Sequence, residues 1–90
     1  MGIKINIHPA LQHFANDLGV VEVDDSTVGQ CLDQLIRQFP AIGSEGFYKN
    51  GKLNQFIDVY LNRERIDSND LATPTKDGDE IHIVILIGGG

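Results

Sequence analysis

Residues 80–87, Glu80-Ile81-His82-Ile83-Val84-Ile85-Leu86-Ile87, form a β-branched, mostly apolar run that gives way to Gly88-Gly89-Gly90. Such a run bounded by turn residues reads as a strand, and its apolar density as a central one. It is far too short to cross a bilayer, which takes about 20 apolar residues in a helix. A central strand needs partners on both sides, so the chain must build a sheet around it. Glycine loses more conformational freedom on ordering than any other residue, so three in a row are poor material for a fold. They suit a backbone that enters a narrow place. Residues 1–87 are therefore expected to form the folded body. Gly88, Gly89 and Gly90 are expected to form a flexible arm, with the Gly90 carboxylate as the working group.

The partners of that strand are legible upstream. Ile3, Ile5 and Ile7 alternate with Lys4, Asn6 and His8, the pattern of a half-buried strand. Pro9 ends it, because proline has no N–H for a ladder. Pro9 to Asp17 reads as a connector, with Leu11 and Phe14 tucked against the core. After Gly19, Val21 and Val23 alternate with Glu22 and Asp24, giving a second strand that pairs with the first as an antiparallel hairpin. Thr27-Val28-Gly29-Gln30 fits a capping box, and Asp24 and Asp25 suit the positive end of a helix dipole. Val28, Cys31, Leu32, Leu35, Ile36 and Phe39 then recur at three- and four-residue spacing, the stripe of one long helix that Pro40 stops.

Beyond Pro40 the signal weakens. Ala41 to Lys52 has no period, although Phe47 and Tyr48 can anchor a helical turn and Asn50-Gly51 is a turn dipeptide. A third strand is expected over Leu53 to Leu61, from the alternation of Ile57, Val59 and Leu61. A short piece at Ile66, a helical turn near Leu71 and a tight turn at Lys76-Asp77-Gly78-Asp79 lead to the last strand. Strands, one helix and more strands give an α+β chain. The first and last strands are expected to lie side by side at the centre, parallel through the helical crossover. This is the β-grasp, or ubiquitin-like, fold: a mixed sheet of four to five strands over one main helix, in a single domain spanning 1–90.

Several function classes drop out on charge and residue type. A net charge of -6 disfavours nucleic acid, because phosphate binding needs a basic patch. The single cysteine, Cys31, excludes an internal disulfide and a four-thiolate cluster. It falls on the apolar stripe of the helix, where a thiol is inert. His8, His13 and His82 lack metal-ligand spacing, and no nucleophile–base constellation is present, so the chain does not read as an enzyme or a metal site. The Met1-Gly2-Ile3-Lys4 start lacks the layout of a secretory signal, which leaves a cytoplasmic protein as the expectation.

Thr27-Val28-Gly29 at the helix start, Lys52-Leu53-Asn54-Gln55-Phe56-Ile57-Asp58-Val59-Tyr60-Leu61-Asn62, Lys76-Asp77-Gly78-Asp79-Glu80 and the terminal glycines together resemble the MoaD/ThiS family of ubiquitin-like sulfur carriers. The 52–62 stretch is most similar to the CysO-type and related MoaD-like branch. Three terminal glycines stand where two would suffice. The resemblance implies the following chemistry. A ubiquitin-activating-type adenylyltransferase uses ATP to adenylate the Gly90 carboxylate, a sulfur donor displaces AMP to leave a thiocarboxylate, and a sulfur-accepting biosynthetic enzyme takes the sulfur. The carrier itself binds no cofactor and is a monomer when free. Gly88 and Gly89 thread the tail into the partner's site. His82, Val84, Leu86 and Ile87, on the last strand, are the candidate docking residues. Three other roles stay open: the small subunit of molybdopterin synthase, a protein modifier joined through Gly90, and a plain β-grasp interaction domain. The receiving pathway (cysteine, thiamine, molybdopterin, another thio-metabolite or tRNA thiolation) also stays open.

Overall fold

The computed structural model describes residues 2–49, 52–54 and 56–85. In chain order it contains β1 (Ile3–Asn6), a 3-10 segment (Pro9–Ala15), β2 (Val20–Val23), α1 (Val28–Gln38) and a helical turn (Pro40–Ile42) that widens into a π turn (Gly43–Phe47). There follow β3 (Tyr48–Lys49), β4 (Lys52–Leu53), β5 (Ile57–Leu61), β6 (Glu64–Ile66), a 3-10 turn (Ser68–Asp70) and β7 (Glu80–Ile85).

The alternating isoleucines decide the sheet. Its order is β2-β1-β7-β5-β6, so β7 lies at the centre. β1 and β7 run parallel with Ile5 opposite Ile81, while β2 on β1, and β5 on β7 and on β6, are antiparallel. Ile3, Ile5, Ile7, Ile81 and Ile83 are all buried on one face, as their spacing requires. α1 covers that face with Val28, Cys31, Leu32 and Leu35, and Ile36 and Phe39 pack at its margin. Burying one such aliphatic side chain contributes about 1.5–3 kcal/mol, so these few residues supply much of the driving force.

Helix α1 begins where the sequence sets it. Thr27 Oγ1 accepts from the Gln30 N–H at 3.2 Å. Among the described residues, the Gln30 side chain makes no return bond to Thr27, so half of the capping box forms. The helix start is tied instead to residues 73–75, through Val28 N–H to Thr73 O at 3.0 Å and Thr75 N–H to Ser26 O at 2.9 Å. Helical structure resumes at Pro40 itself, because proline is well tolerated in a first turn.

Pro9 to Asp17 connects β1 to β2 as expected, and it has regular structure of its own. Its first seven residues form the 3-10 segment, opened by His8, whose Nδ1 accepts from the Ala10 N–H at 3.0 Å. Leu11 is buried there and Phe14 packs against the core, as anticipated. The expectation of a third strand over Leu53 to Leu61 needs correction, because that strand does not begin at Leu53. Lys52–Leu53 pairs with Tyr48–Lys49 in a separate two-stranded hairpin, and β5 starts at Ile57. Asn54 divides the two, since its Oδ1 accepts from the Phe56 N–H and its Nδ2 donates to Gly46 O. Tyr48 therefore belongs to a strand and not to a helical turn, and the Asn50-Gly51 turn lies outside the described residues.

Candidate functional site

Because β7 is central, its two ends define two poles of the sheet. At Ile85 the chain leaves the described structure towards Leu86, Ile87, Gly88, Gly89 and Gly90, all five of which lie outside the described residues. Strand pairing then fixes what surrounds that exit. On the face away from α1, a row runs Val20, Asn6, His82, Tyr60, Arg65, each opposite the next in register. One pleat closer to the exit, Val84 sits opposite Asp58. Of the expected docking residues, His82 and Val84 thus share this outer face. Both are half-buried, and Nε2 of His82 lies 4.0 Å from the Glu80 carboxylate. Arg65 Nε meets Asp58 Oδ1 at 3.3 Å on the same face, a surface pair of the kind that contributes about 0–1 kcal/mol.

Three residues that the sequence reading passed over join this pole. Among the described residues the large apolar side chains left exposed are Leu18 (45%), Val20 (45%) and Phe56 (53%). β2 runs antiparallel to β1, so its start, with Leu18 and Val20, lies at the exit end of the sheet. β5 runs antiparallel to β7 with Ile57 opposite Ile85, so Phe56 lies there too, on the other side of β7. Isolated exposed apolar residues are ordinary; here three of them stand at the same pole of the sheet. A signal was present: period-two reading puts Val20 on the same face as Glu22, a solvent position for an apolar residue.

The opposite pole is tied down. Asp79, just before β7, is 7% exposed, the one buried charged side chain among the described residues. Its carboxylate accepts from Asn62 Nδ2 at 3.2 Å and from the Lys76 N–H at 3.0 Å. Asn62 adds two more links to the strand start: its N–H donates to Glu80 O at 2.7 Å, and its Oδ1 accepts from the Glu80 N–H at 3.0 Å. Asn62 has φ 56°, a left-handed conformation that asparagine tolerates. In the adjoining turn Gly78 has φ 90°, which strongly favours glycine. A buried carboxylate with a donor on each of its oxygens is well satisfied and structural in character.

Cys31 is fully buried on α1. Loss of solvent pushes its thiol above the ordinary range, against the lowering effect of a hydrogen bond with Thr75, and the Asp25 charge raises it further. Thr75 Oγ1 itself donates to Asp25 O at 2.7 Å. A protonated, enclosed thiol is a poor nucleophile, so the position is one of packing. Among the described residues, no helix is long and apolar enough to cross a membrane.

Comparison with known proteins agrees with this geometry. The ThiS family profile matches residues 9–90. The small archaeal modifier protein 1 of Haloferax volcanii is 38% identical over 71 residues, 78% of each chain. The sulfur carrier protein CysO of Mycobacterium tuberculosis is 27% identical over 93 residues, spanning 100% of both chains. Among solved structures, the crystal structure of the Amycolatopsis orientalis BexX/CysO complex superimposes with a TM-score of 0.86 at 28% identity, covering 99% of this chain and 100% of the matched one.

Proposed function

The chain belongs to the ThiS family of ubiquitin-like sulfur carriers and modifiers, and from that premise we propose that its Gly90 carboxylate is the group that carries sulfur. A carboxylate resists nucleophiles until it is made a mixed anhydride. A partner adenylyltransferase joins it to the AMP moiety of ATP and releases pyrophosphate. A sulfur nucleophile then attacks the acyl carbon and expels AMP, leaving a thiocarboxylate. A second partner enzyme accepts the sulfur. The carrier supplies no catalytic side chain; the reaction belongs to its partners.

The reading rests above all on one observation: Leu18, Val20 and Phe56, the exposed large apolar side chains among the described residues, collect at the pole where β7 leads out towards Gly88-Gly89-Gly90. Ordering a glycine tail in a partner's site costs conformational entropy, so the folded body must contribute affinity. These residues, with His82, Val84, Leu86 and Ile87, are the docking surface that contributes it. Gly88 and Gly89 pass the tail through a narrow entry, where a side chain would clash. That a similar CysO has been crystallised in complex with BexX supports a mode of action by docking.

The test is the intact mass after incubation with ATP, a competent activating enzyme and sulfide. A gain equal to one oxygen-to-sulfur exchange, localised to Gly90, is expected. An unchanged mass with an enzyme that loads its own cognate carrier contradicts the proposal. The likeness to a small archaeal modifier protein favours a second use of the same activated terminus, attachment to lysine amines. Conjugates that survive denaturing, reducing gels would identify that use.

A further inference from the structure

Strand β2 is one edge of the sheet, and its hydrogen bonds divide cleanly between its two sides. Val21 and Val23 lie opposite Ile5 and Ile3, and the Ile7 N–H donates to Gly19 O at 2.9 Å, so the odd-numbered residues face β1 with their backbone groups. Val20, Glu22 and Asp24 consequently point N–H and C=O outward. The Asp24 rung is filled: Gln34 of α1 accepts from its N–H at 3.2 Å and donates to its C=O at 2.8 Å, the two bonds a neighbouring strand would make. Among the described residues no partner meets the backbone groups of Val20 and Glu22. Edges left open in this way are templates for strand pairing, and folds usually block them. Here the side-chain block covers the Asp24 rung and leaves those of Val20 and Glu22 open.

The surroundings of the two open rungs select an occupant. No Lys or Arg occurs between Lys4 and Arg37, whereas Asp17, Glu22, Asp24, Asp25 and Asp33 all fall within that interval. Leu18 and Val20, both 45% exposed, stand beside the rungs. We propose that the Val20–Glu22 edge of β2 takes up an extended segment of a partner protein that alternates apolar residues with Lys or Arg. Main-chain bonds to Val20 and Glu22 supply the pairing, Leu18 and Val20 accept the apolar side chains, and the acidic flank selects basic ones. A second copy of the chain joined through the same edge would bring the acidic residues Glu22, Asp24 and Asp25 of the two copies close together, which like-charge repulsion opposes. The proposal concerns binding alone and does not depend on the chemistry of Gly90.

A suitable probe is the peptide acetyl-Lys-Thr-Val-Arg-Val-Thr-Val-Lys-amide, with a counterpart that carries Glu at each basic position. In amide NMR titrations, the Val20 and Glu22 signals should shift and gain exchange protection with the basic peptide and not with the acidic one. Glu22→Pro deletes an outward N–H while leaving the β1 ladder intact, a placement that edge strands tolerate. It should weaken binding about tenfold, the worth of roughly one hydrogen bond with its rung, while the melting temperature is retained. Glu22→Lys serves as the second variant, keeps the N–H, and should weaken binding through charge. Equal binding of both peptides, or protection centred on another element, overturns the proposal. So does self-association of the chain with Val20 and Glu22 already protected before peptide is added, which would assign the edge to a second copy.

Discussion

The two ends of β7 are built from opposite materials. At its start Asp79, Asn62, Lys76 and Glu80 are cross-tied by hydrogen bonds, and the carboxylate at their centre is buried. At its far end Leu18, Val20 and Phe56 stand exposed around the strand's exit, and Val84 is half-buried. A polar, satisfied cluster fixes the register of β7 against β5. Because side chains alternate with period two, that register also decides which residues face outward at the exit. One end thus holds the strand, and in the proposed function the other end presents it. Buried polar groups carry stability, and unpaired apolar groups in water carry the capacity to bind.

The sharpest way to separate the two ends is to remove Gly90. Sulfur loading should fall to background while the thermal midpoint stays unchanged; a truncated chain that still loads would show that the tail is dispensable. In the shared core, Ile83→Ala should cost about 2–5 kcal/mol in urea unfolding, as deletion of buried aliphatic groups does. At the tied end, Asp79→Ala strands Asn62 Nδ2 and the Lys76 N–H and should cost about 1–3 kcal/mol, with affinity for the activating enzyme retained in the folded fraction. At the presenting end the pattern should invert. Phe56→Ser should change stability by no more than about 0.5 kcal/mol and weaken partner binding several-fold, as measured by calorimetry.

The smallest effect is a pH dependence. Burial holds the Cys31 thiol protonated in the fold, above its ordinary value of 9.0. As pH rises through the ordinary thiol range the unfolded chain ionises first and binds fewer protons than the folded one, so stability falls with pH there. The urea midpoint should therefore drop between about pH 8 and about pH 10, and Cys31→Ala should remove that part of the drop.

Which features could be read from the sequence follows from how local their causes are. Isoleucines at every second position in 3–7 and 81–85 specify a strand face, and a strip of apolar residues at helical spacing over 28–39 specifies the helix that covers it. A hairpin followed by a helix and a central last strand leaves few topologies, so the β-grasp order was legible. The β3–β4 hairpin was not, because two-residue strands have no period and Asn54 breaks the run through side-chain bonds to Gly46 and Phe56. The 3-10 segment after Pro9 was missed because its helical character depends on the His8 cap and on packing of Leu11. Within the candidate site, His82 and Val84 were placed on the outer face by alternation alone. Leu18 and Phe56 were not, since exposure of an apolar side chain near a strand end is settled by tertiary contacts. The open rungs of β2 depend on strand order and on the reach of Gln34, neither of which is local.

In the proposed function, partners engage the exit end of β7 and leave the tied end alone. Amide NMR of the isotope-labelled chain, titrated with its activating enzyme, tests this directly. Perturbation should centre on Leu18, Val20, His82, Val84 and Phe56, with Asn62, Gly78 and Asp79 unchanged. A footprint centred on the Asn62–Asp79 turn, with the exit residues silent, would contradict it.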